Sequence, residues 1–300
     1  MIKRGKRQGI QRFQCTVCNC YFSSKRRPKH LQQIIFQEYF YHRQTAKELA
    51  IRYDRSERWI RDQIHSYKPV IKDRESRAVI LVLDATFFGK RKDKFGLLIA
   101  KDIHTKEAVS YHFIKSETNN EYITLRTDIK KQGYEVKGII IDGRRGLFKL
   151  FNDVPIQMCQ FHQQAIITRY LTKNPKLEAS IKLKRISSYL TRVTQSRFEF
   201  LLDCWFEKYH EFMNERTQNE ETKRWRYTHR RLRSAYRSLR THLPYLFTYK
   251  THLNLQMQNT TNSLDGGVFA PMKMLLKIHR GIGIEMKKKL ITDYLENRLK

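Results

Sequence analysis

The sequence predicts an α/β protein in which a mixed sheet with helices on its faces is interrupted by an all-helical insertion and preceded by a small helix-turn-helix unit. Three observations predict it. Strand-like apolar runs and helical stretches follow one another as β-β-β-α-β-α-β between Ala78 and Cys159, which describes a mixed sheet covered by helices. Residues 31–67 carry apolar residues at helical spacing, and so do residues 176–255.

The first strand anchors the sheet. Ala78 to Leu83 is a six-residue apolar run without a turn former, as in a strand buried on both faces, and it ends on Asp84. Such a carboxylate is solvated at a sheet edge, caps a turn, or holds a metal ion in the cleft where α/β strands deliver their polar ends. The pattern recurs at 138–143, where an isoleucine-rich strand runs into Asp142 and then Gly143, whose missing side chain permits close backbone approach. Two strands of this kind bring two carboxylates to one edge, which suits a hard divalent cation with oxygen ligands. Between them, the basic turn Lys90–Lys94 leads to strand-like runs at Phe95–Lys101 and Ala108–Ile114, an antiparallel meander. A helix over 117–132, a short helix at 144–151 and a strand at Pro155–Cys159 complete the series, so the aspartates fall on the first and fourth strands.

The totals narrow the function. With 60 Lys+Arg against 29 Asp+Glu, the net charge of +31 over 300 residues points to a polyanionic partner. A hydrophobic fraction of 40% and 12% aromatics exclude a disordered basic tail. No apolar run is long enough for a membrane span, and MIKRGKRQGI has no secretory h-region, so a cytoplasmic protein is expected. Cys15, Cys18 and Cys20 cluster while Cys159 and Cys204 stand alone, which is no disulfide framework.

Residues 1–27 read as a basic arm able to lie along a phosphate backbone. Within it, Cys15 and Cys18 form a CxxC hairpin of the zinc-ribbon type and are candidate Zn²⁺ ligands. A ribbon needs four ligands from two such hairpins, and only one is present, with Cys20 and His30 as the alternative third and fourth. Over 28–68 the pattern is helical. Leu31, Ile34, Ile35, Tyr39 and Phe40 share a face, Thr45 to Glu48 spells a capping box, and a polar turn at 54–56 precedes a second helix with Trp59, Ile60 and Ile64 inward. Arg55, Arg58 and Arg61 lie on its polar side, as in a recognition helix that enters the DNA major groove. An ordinary helical hairpin is the plainer reading; the 18 Lys+Arg against 7 Asp+Glu in residues 1–75 favour DNA.

After the last strand come Cys159 and His162, a CxxH too sparse for a zinc site and readable as a buried cysteine beside a capping histidine. The stretch Lys223–Arg240 holds eight Lys/Arg and no acid, interleaved with Trp225, Tyr227 and Tyr236. Such a run of like charges repels itself until a phosphate backbone neutralises it, and its aromatics are available to stack on bases. Arg224, Trp225, Arg226, Arg230, Arg231, Arg233 and Arg237 are its candidate contacts. Finally, Asn259–Gly281 offers Asp265, followed by Gly266 and Gly267: a turn, or a third metal ligand brought from another element.

These motifs together resemble bacterial insertion-sequence transposases of the Mutator-like type, whose core is ribonuclease H-like and of the DDE/DDD class. QRFQCTVCNCYF resembles the second half of that group's zinc ribbon, and 31–67 its helix-turn-helix. LDATFF, IIDGRRGL, CQFH and TTNSLDGG…HRG resemble, in order, the motifs of the first acid, second acid, Cys-x-x-His and third acid. The resemblance implies that Asp84 bridges two Mg²⁺ or Mn²⁺ ions, that Asp142 holds one and Asp265 the other, and that Cys159 and His162 are active-site neighbours and not ligands. It implies two-metal strand cleavage and strand transfer on double-stranded DNA carrying terminal inverted repeats, by a homodimer or larger assembly, with no membrane partner. The implied parts are a DNA-binding domain at 28–68, a catalytic core at 78–175 resumed at 256–300, and the insertion at 176–255. The family's third acid is usually Glu; Asp265 is one methylene shorter, with Glu285 as the fallback. A non-catalytic DNA-binding protein, a repressor or a truncated or domesticated transposase, is the competing class, and a metal-dependent nuclease of the same fold a third.

Overall fold

A computed structural model describes residues 1–7, 9–23, 30–90 and 93–299. The expected boundary at residues 27/28 and the centre of the basic turn, Arg91 and Lys92, lie outside the described residues. The chain divides into two compact units, one of residues 1–70 with 279–290 and one of residues 71–278 with 291–300.

The first unit opens with an antiparallel three-stranded sheet, β1 (Ile2–Arg7), β2 (Ile10–Gln14) and β3 (Tyr21–Ser23). The residues expected as an arm therefore include a paired strand. The Phe13 and Phe22 rings stack across β2 and β3 at 5.8 Å, and Arg12 lies over Tyr21 at 5.0 Å. Three helices follow, α1 (Leu31–Phe40), α2 (Ala46–Tyr53) and α3 (Glu57–Ser66). The capping box forms: Thr45 Oγ1 accepts from Glu48 N while the Glu48 carboxylate accepts from Thr45 N. Asp54 ends α2 at a φ of 50°, and Ser56 caps α3 by accepting from Trp59 N. Ile35, Phe36, Phe40, Leu49, Ile60 and Ile64 are buried, and the His279 ring meets Phe40 edge-on at 4.8 Å.

The second unit is mixed α/β, built on a five-stranded sheet of β4 (Ala78–Phe88), β5 (Phe95–Asp102), β6 (Ala108–Ile114), β7 (Glu135–Ile141) and β8 (Ile156–Met158). The strand order is β6-β5-β4-β7-β8, with the β4–β5 and β5–β6 pairs antiparallel and the β4–β7 and β7–β8 pairs parallel. This arrangement is compatible with a ribonuclease H-like fold. Helix α4 (Asn119–Lys131) covers one face, burying Tyr122, Leu125 and Ile129 against Leu81, Leu83, Ile139 and Ile141. A short α5 (Leu147–Leu150) precedes β8.

Beyond β8 run α6 (Gln160–Leu171), α7 (Glu178–Ser187), α8 (Gln195–Asn214) and α9 (Arg230–Leu246), packed around Phe198, Leu202, Trp205, Leu239 and Phe247. The insertion is not all helical. Arg216–Gln218 (β9) and Trp225–Tyr227 (β10) form an antiparallel hairpin where sequence reading expects helix. Local chemistry explains it: Asn219 Oδ1 accepts from Glu221 N and Thr222 N to close the turn, and Lys223 sits at a φ of 53°. Buried glutamines tie the insertion to the sheet, Gln157 and Gln160 both donating to Leu246 O. After α10 (Thr248–Thr251), a short α11 (Asn262–Leu264) and a π turn at Asp265–Phe269 lead into α12 (Ala270–Ile278). The last helix, α13 (Ile284–Asn297), begins in the first unit and ends in the second.

Candidate active site

Two aspartates are set by strand register. The β4–β7 ladder ends at Val82 opposite Ile140, and Asp84 and Asp142 each lie two residues further on. Side chains repeat every second residue, so Asp84, still within β4, leaves on the face of Val82, opposite to Leu81 and Leu83, while Asp142 follows directly after the end of β7. The strand does not stop at Asp84 as its sequence suggests. It stays paired to β5 as far as Phe88 opposite Phe95, and only its β7 side opens beyond Val82. Asp84 Oδ1 accepts from Ala85 N at 2.7 Å, and Asp142 Oδ1 from Arg144 N at 3.0 Å. A Cβ at Gly143 would meet the tip of Met158, so a small residue suits the turn. Arg144 also donates to Glu117 O at 2.7 Å and borders a hollow of about 490 Å³ lined with Thr118, Asn119, Asn120 and Arg145.

The third acid comes from outside the sheet. Ligand atoms of Asp84, His162 and Asp265 all lie within 4.8 Å of one another, the one such group of His, Cys, Asp and Glu among the described residues. Thr261 lies at the centre of the contacts behind it. Its hydroxyl is 3.3 Å from Asp265 Oδ2 and 3.3 Å from His162 Nδ1, and its backbone N donates to Cys159 Sγ. Lys101, on the same sheet face as Asp84, donates from Nζ to Ser263 O at 3.1 Å and so pins α11 to β5.

Electrostatics mark the cluster as strained. Burial, then the charges of Asp265 and Asp142, push the Asp84 carboxyl up to about 7, against the Ala85 N–H and His162, which favour its ionised form. His162 is raised to about 9, first by its hydrogen bond to Cys159 and then by the acids, against its own burial. Burial acts to raise the Cys159 thiol, and bonds from His162 and Thr261 outweigh it, so the net direction is down. His162 therefore favours its protonated form, paired first with Cys159 and then with the charges of Asp84 and Asp142.

Other sequence-derived candidates fall elsewhere. Glu285 belongs to the first unit, pairs with Lys288 at 2.8 Å and is 85% exposed, so it is not part of the group around Asp84. Cys15, Cys18, Cys20 and His30 do not form a three-ligand group among the described residues; Cys15 and Cys18 stand in the turn between β2 and β3, where Cys15 N donates to Cys20 O. Arg55, Arg58 and Arg61 are exposed on or beside α3, Arg61 bonded to Glu57 at 2.7 Å. Arg224, Arg226, Arg230, Arg231 and Arg237 are exposed, and among the described residues Arg240 alone of the eight basic residues from 223 to 240 has carboxylate partners, Glu199 and Asp203. The aromatics of that stretch do not all face outward. Tyr236 stacks on Trp205 and Phe206, and Tyr227 lies beneath Arg233 at 3.6 Å, with Arg216 also over its ring; Trp225 is 63% exposed. Sequence reading missed Thr261 and Lys101. The one available signal was the i, i+4 spacing of Thr261 to Asp265, common in any helical turn.

No protein-family model and no curated protein matches the chain. Among solved structures it is similar to the Drosophila P element transposase strand transfer complex, at 9% sequence identity and a TM-score of 0.32, covering 89% of this chain and 79% of that one.

Proposed function

We propose that the chain is a DNA transposase of the DDE/DDD class that binds the terminal repeats of an insertion sequence and cuts and joins DNA strands with divalent metal ions. The observation that carries this reading is the grouping of Asp84 and Asp265 with His162, with Asp142 outside that group but near enough for its charge to raise the Asp84 carboxyl, in a protein of net charge +31. The donor set fits hard cations, since carboxylate oxygens suit Mg²⁺ and Mn²⁺ and the half-buried Asp84 is crowded by the charges of Asp265 and Asp142. Asp84, Asp142 and Asp265 would hold the ions, whose chemistry when bound is to polarise a phosphodiester and activate the attacking oxygen.

The chain's own residues supply the rest. Asp84 gives up its proton to become a ligand, and His162 holds a proton beside the carboxylates at neutral pH. Residues 28–68 act as the helix-turn-helix, with Arg55, Arg58 and Arg61 of α3 and its entry toward the repeat sequence. The arginines of β10 and α9, with the exposed Trp225, hold the DNA backbone. Two ends must be brought together, so the active form is a dimer or larger.

The test is strand cleavage and strand transfer on a labelled duplex carrying the element's terminal repeat, with Mg²⁺ or Mn²⁺. Asp84→Ala, Asp142→Ala and Asp265→Ala should each abolish both reactions while DNA binding persists. A wild-type protein that binds the ends and cuts nothing would instead favour a non-catalytic DNA-binding role.

A further inference from the structure

Asp265 needs a positioning device that the sheet does not provide. It sits in a π turn with no ladder partner, and a Cβ on either following residue, Gly266 or Gly267, would meet nothing within 4 Å. The acids on the sheet are placed by register; this one is held from Thr261, by a backbone bond from Asp265 N to Thr261 O at 3.3 Å and by side chains. Its anchor can be traced bond by bond. Cys159 N donates to Ile141 O at 2.8 Å, one residue before Asp142. Thr261 N donates in turn to Cys159 Sγ at 3.3 Å, and the Thr261 hydroxyl lies 3.3 Å from Asp265 Oδ2. Gln160 N donates to Asn259 O at 2.9 Å, and Asn259 Nδ2 returns a bond to Gln160 Oε1 at 3.0 Å, which fixes the same segment from its other side.

We infer that Thr261 is the positioning residue of the third acid and that the Cys159–His162 pair is its seat, a role for the CxxH motif that rests on the metal-dependent reading above. Thr261 is fully buried, so its hydroxyl answers only to protein groups. That hydroxyl has one proton. Its acceptors are Asp265 Oδ2 at 3.3 Å and Cys159 Sγ at 3.6 Å; donated to the nearer, Asp265, it leaves the oxygen free to accept from a protonated His162 Nδ1, so one group orients a carboxylate and an imidazole together. Such partners behind a ligand typically govern metal affinity by about 10–100-fold.

Mn²⁺ binding to the purified full chain, followed by calorimetry alongside thermal unfolding, tests this. Thr261→Val keeps the shape and removes the hydroxyl; it should weaken Mn²⁺ binding by about 10–100-fold, while Thr261→Ser stays within about threefold of wild type. Should the valine variant fail to fold, Cys159→Ala serves: amide exchange should quicken in the peptide spanning 259–269 and not in β4, and Mn²⁺ binding should weaken. Variants that fold and bind Mn²⁺ like wild type overturn the positioning role alone. A wild type that binds no Mn²⁺ overturns the metal-dependent reading and this inference with it.

Discussion

Replacing Asp84 by asparagine should stabilise the protein at high pH, which is not what removing a structural carboxylate does. The folded protein holds the Asp84 proton up to a pH of about 7, against an ordinary 3.8. Between those values the folded state binds a proton that the unfolded state has lost, so stability falls as pH rises through the window. Each pH unit costs about 1.4 kcal/mol, and the three-unit window costs on the order of 4 kcal/mol by pH 7, with no further loss above it. Asparagine keeps the acceptor for Ala85 N and carries no charge. The expected gain from Asp84→Asn is therefore close to nothing at pH 4 and on the order of 4 kcal/mol at pH 8, a rise in Tm of roughly 8–16 °C for a unit of this size. Far-UV circular dichroism melts at pH 4 and pH 8, with a chelator to remove stray cations, measure it. A lower Tm for the variant at pH 8, or the same change at both pH values, would refute the claim that these acids are crowded together at a cost that a cation relieves.

The same crowding gives Mn²⁺ binding a pH dependence. Below pH 7 the ion must displace the Asp84 proton, so affinity should drop by about tenfold per pH unit, with proton release visible as a buffer-dependent binding heat; a flat profile from pH 5 to pH 7 contradicts it. Replacing Arg224, Arg226, Arg230 and Arg231 together by alanine should weaken duplex binding and reduce the log–log salt slope by about 0.9 for each phosphate no longer neutralised, with Tm unchanged. An unaltered slope would place the backbone-binding surface elsewhere. Thr45→Val breaks the capping box of α2 and should cost about 1 kcal/mol in urea unfolding, a loss that Thr45→Ser restores.

How much of this was legible in the residues depends on the range of the forces involved. The capping box and the buried β4 and β7 strands are local features, and their patterns survive into the fold. The hairpin at Arg216–Tyr227 was not legible, because a basic run with aromatics at 225, 227 and 236 has no decisive period. Its strands depend on the Asn219 turn and on the clamp of Tyr227 by Arg233, a residue of α9. The end of β4 was misread for a related reason. A charged residue looks like a strand terminus, yet the ladder to β5 continues for four residues past Asp84 because nothing on that side interrupts it.

The position of Asp84 inside the strand has a chemical consequence. A carboxylate at a free strand end would swing into water and ionise without penalty. Held by ladder bonds to β5 on one side, and released from β7 on the other, Asp84 has a fixed backbone and a side chain facing the space that Asp142 also faces. The sheet therefore fixes the backbone of two of the acids before any ion arrives, and leaves the third to be located by backbone and side-chain bonds to Thr261. Rigid placement of like charges is unfavourable for folding and favourable for cation capture, since little reorganisation remains when the ion binds. The asymmetry between register-fixed Asp84 and Asp142 and the bonded-in Asp265 predicts where tolerance lies: longer or shorter acids should be accepted at 265 more readily than at 84. Asp265→Glu should accordingly retain measurable Mn²⁺ binding, whereas Asp84→Glu, whose carboxylate is carried one methylene further from a backbone that the ladder to β5 holds in place, should not.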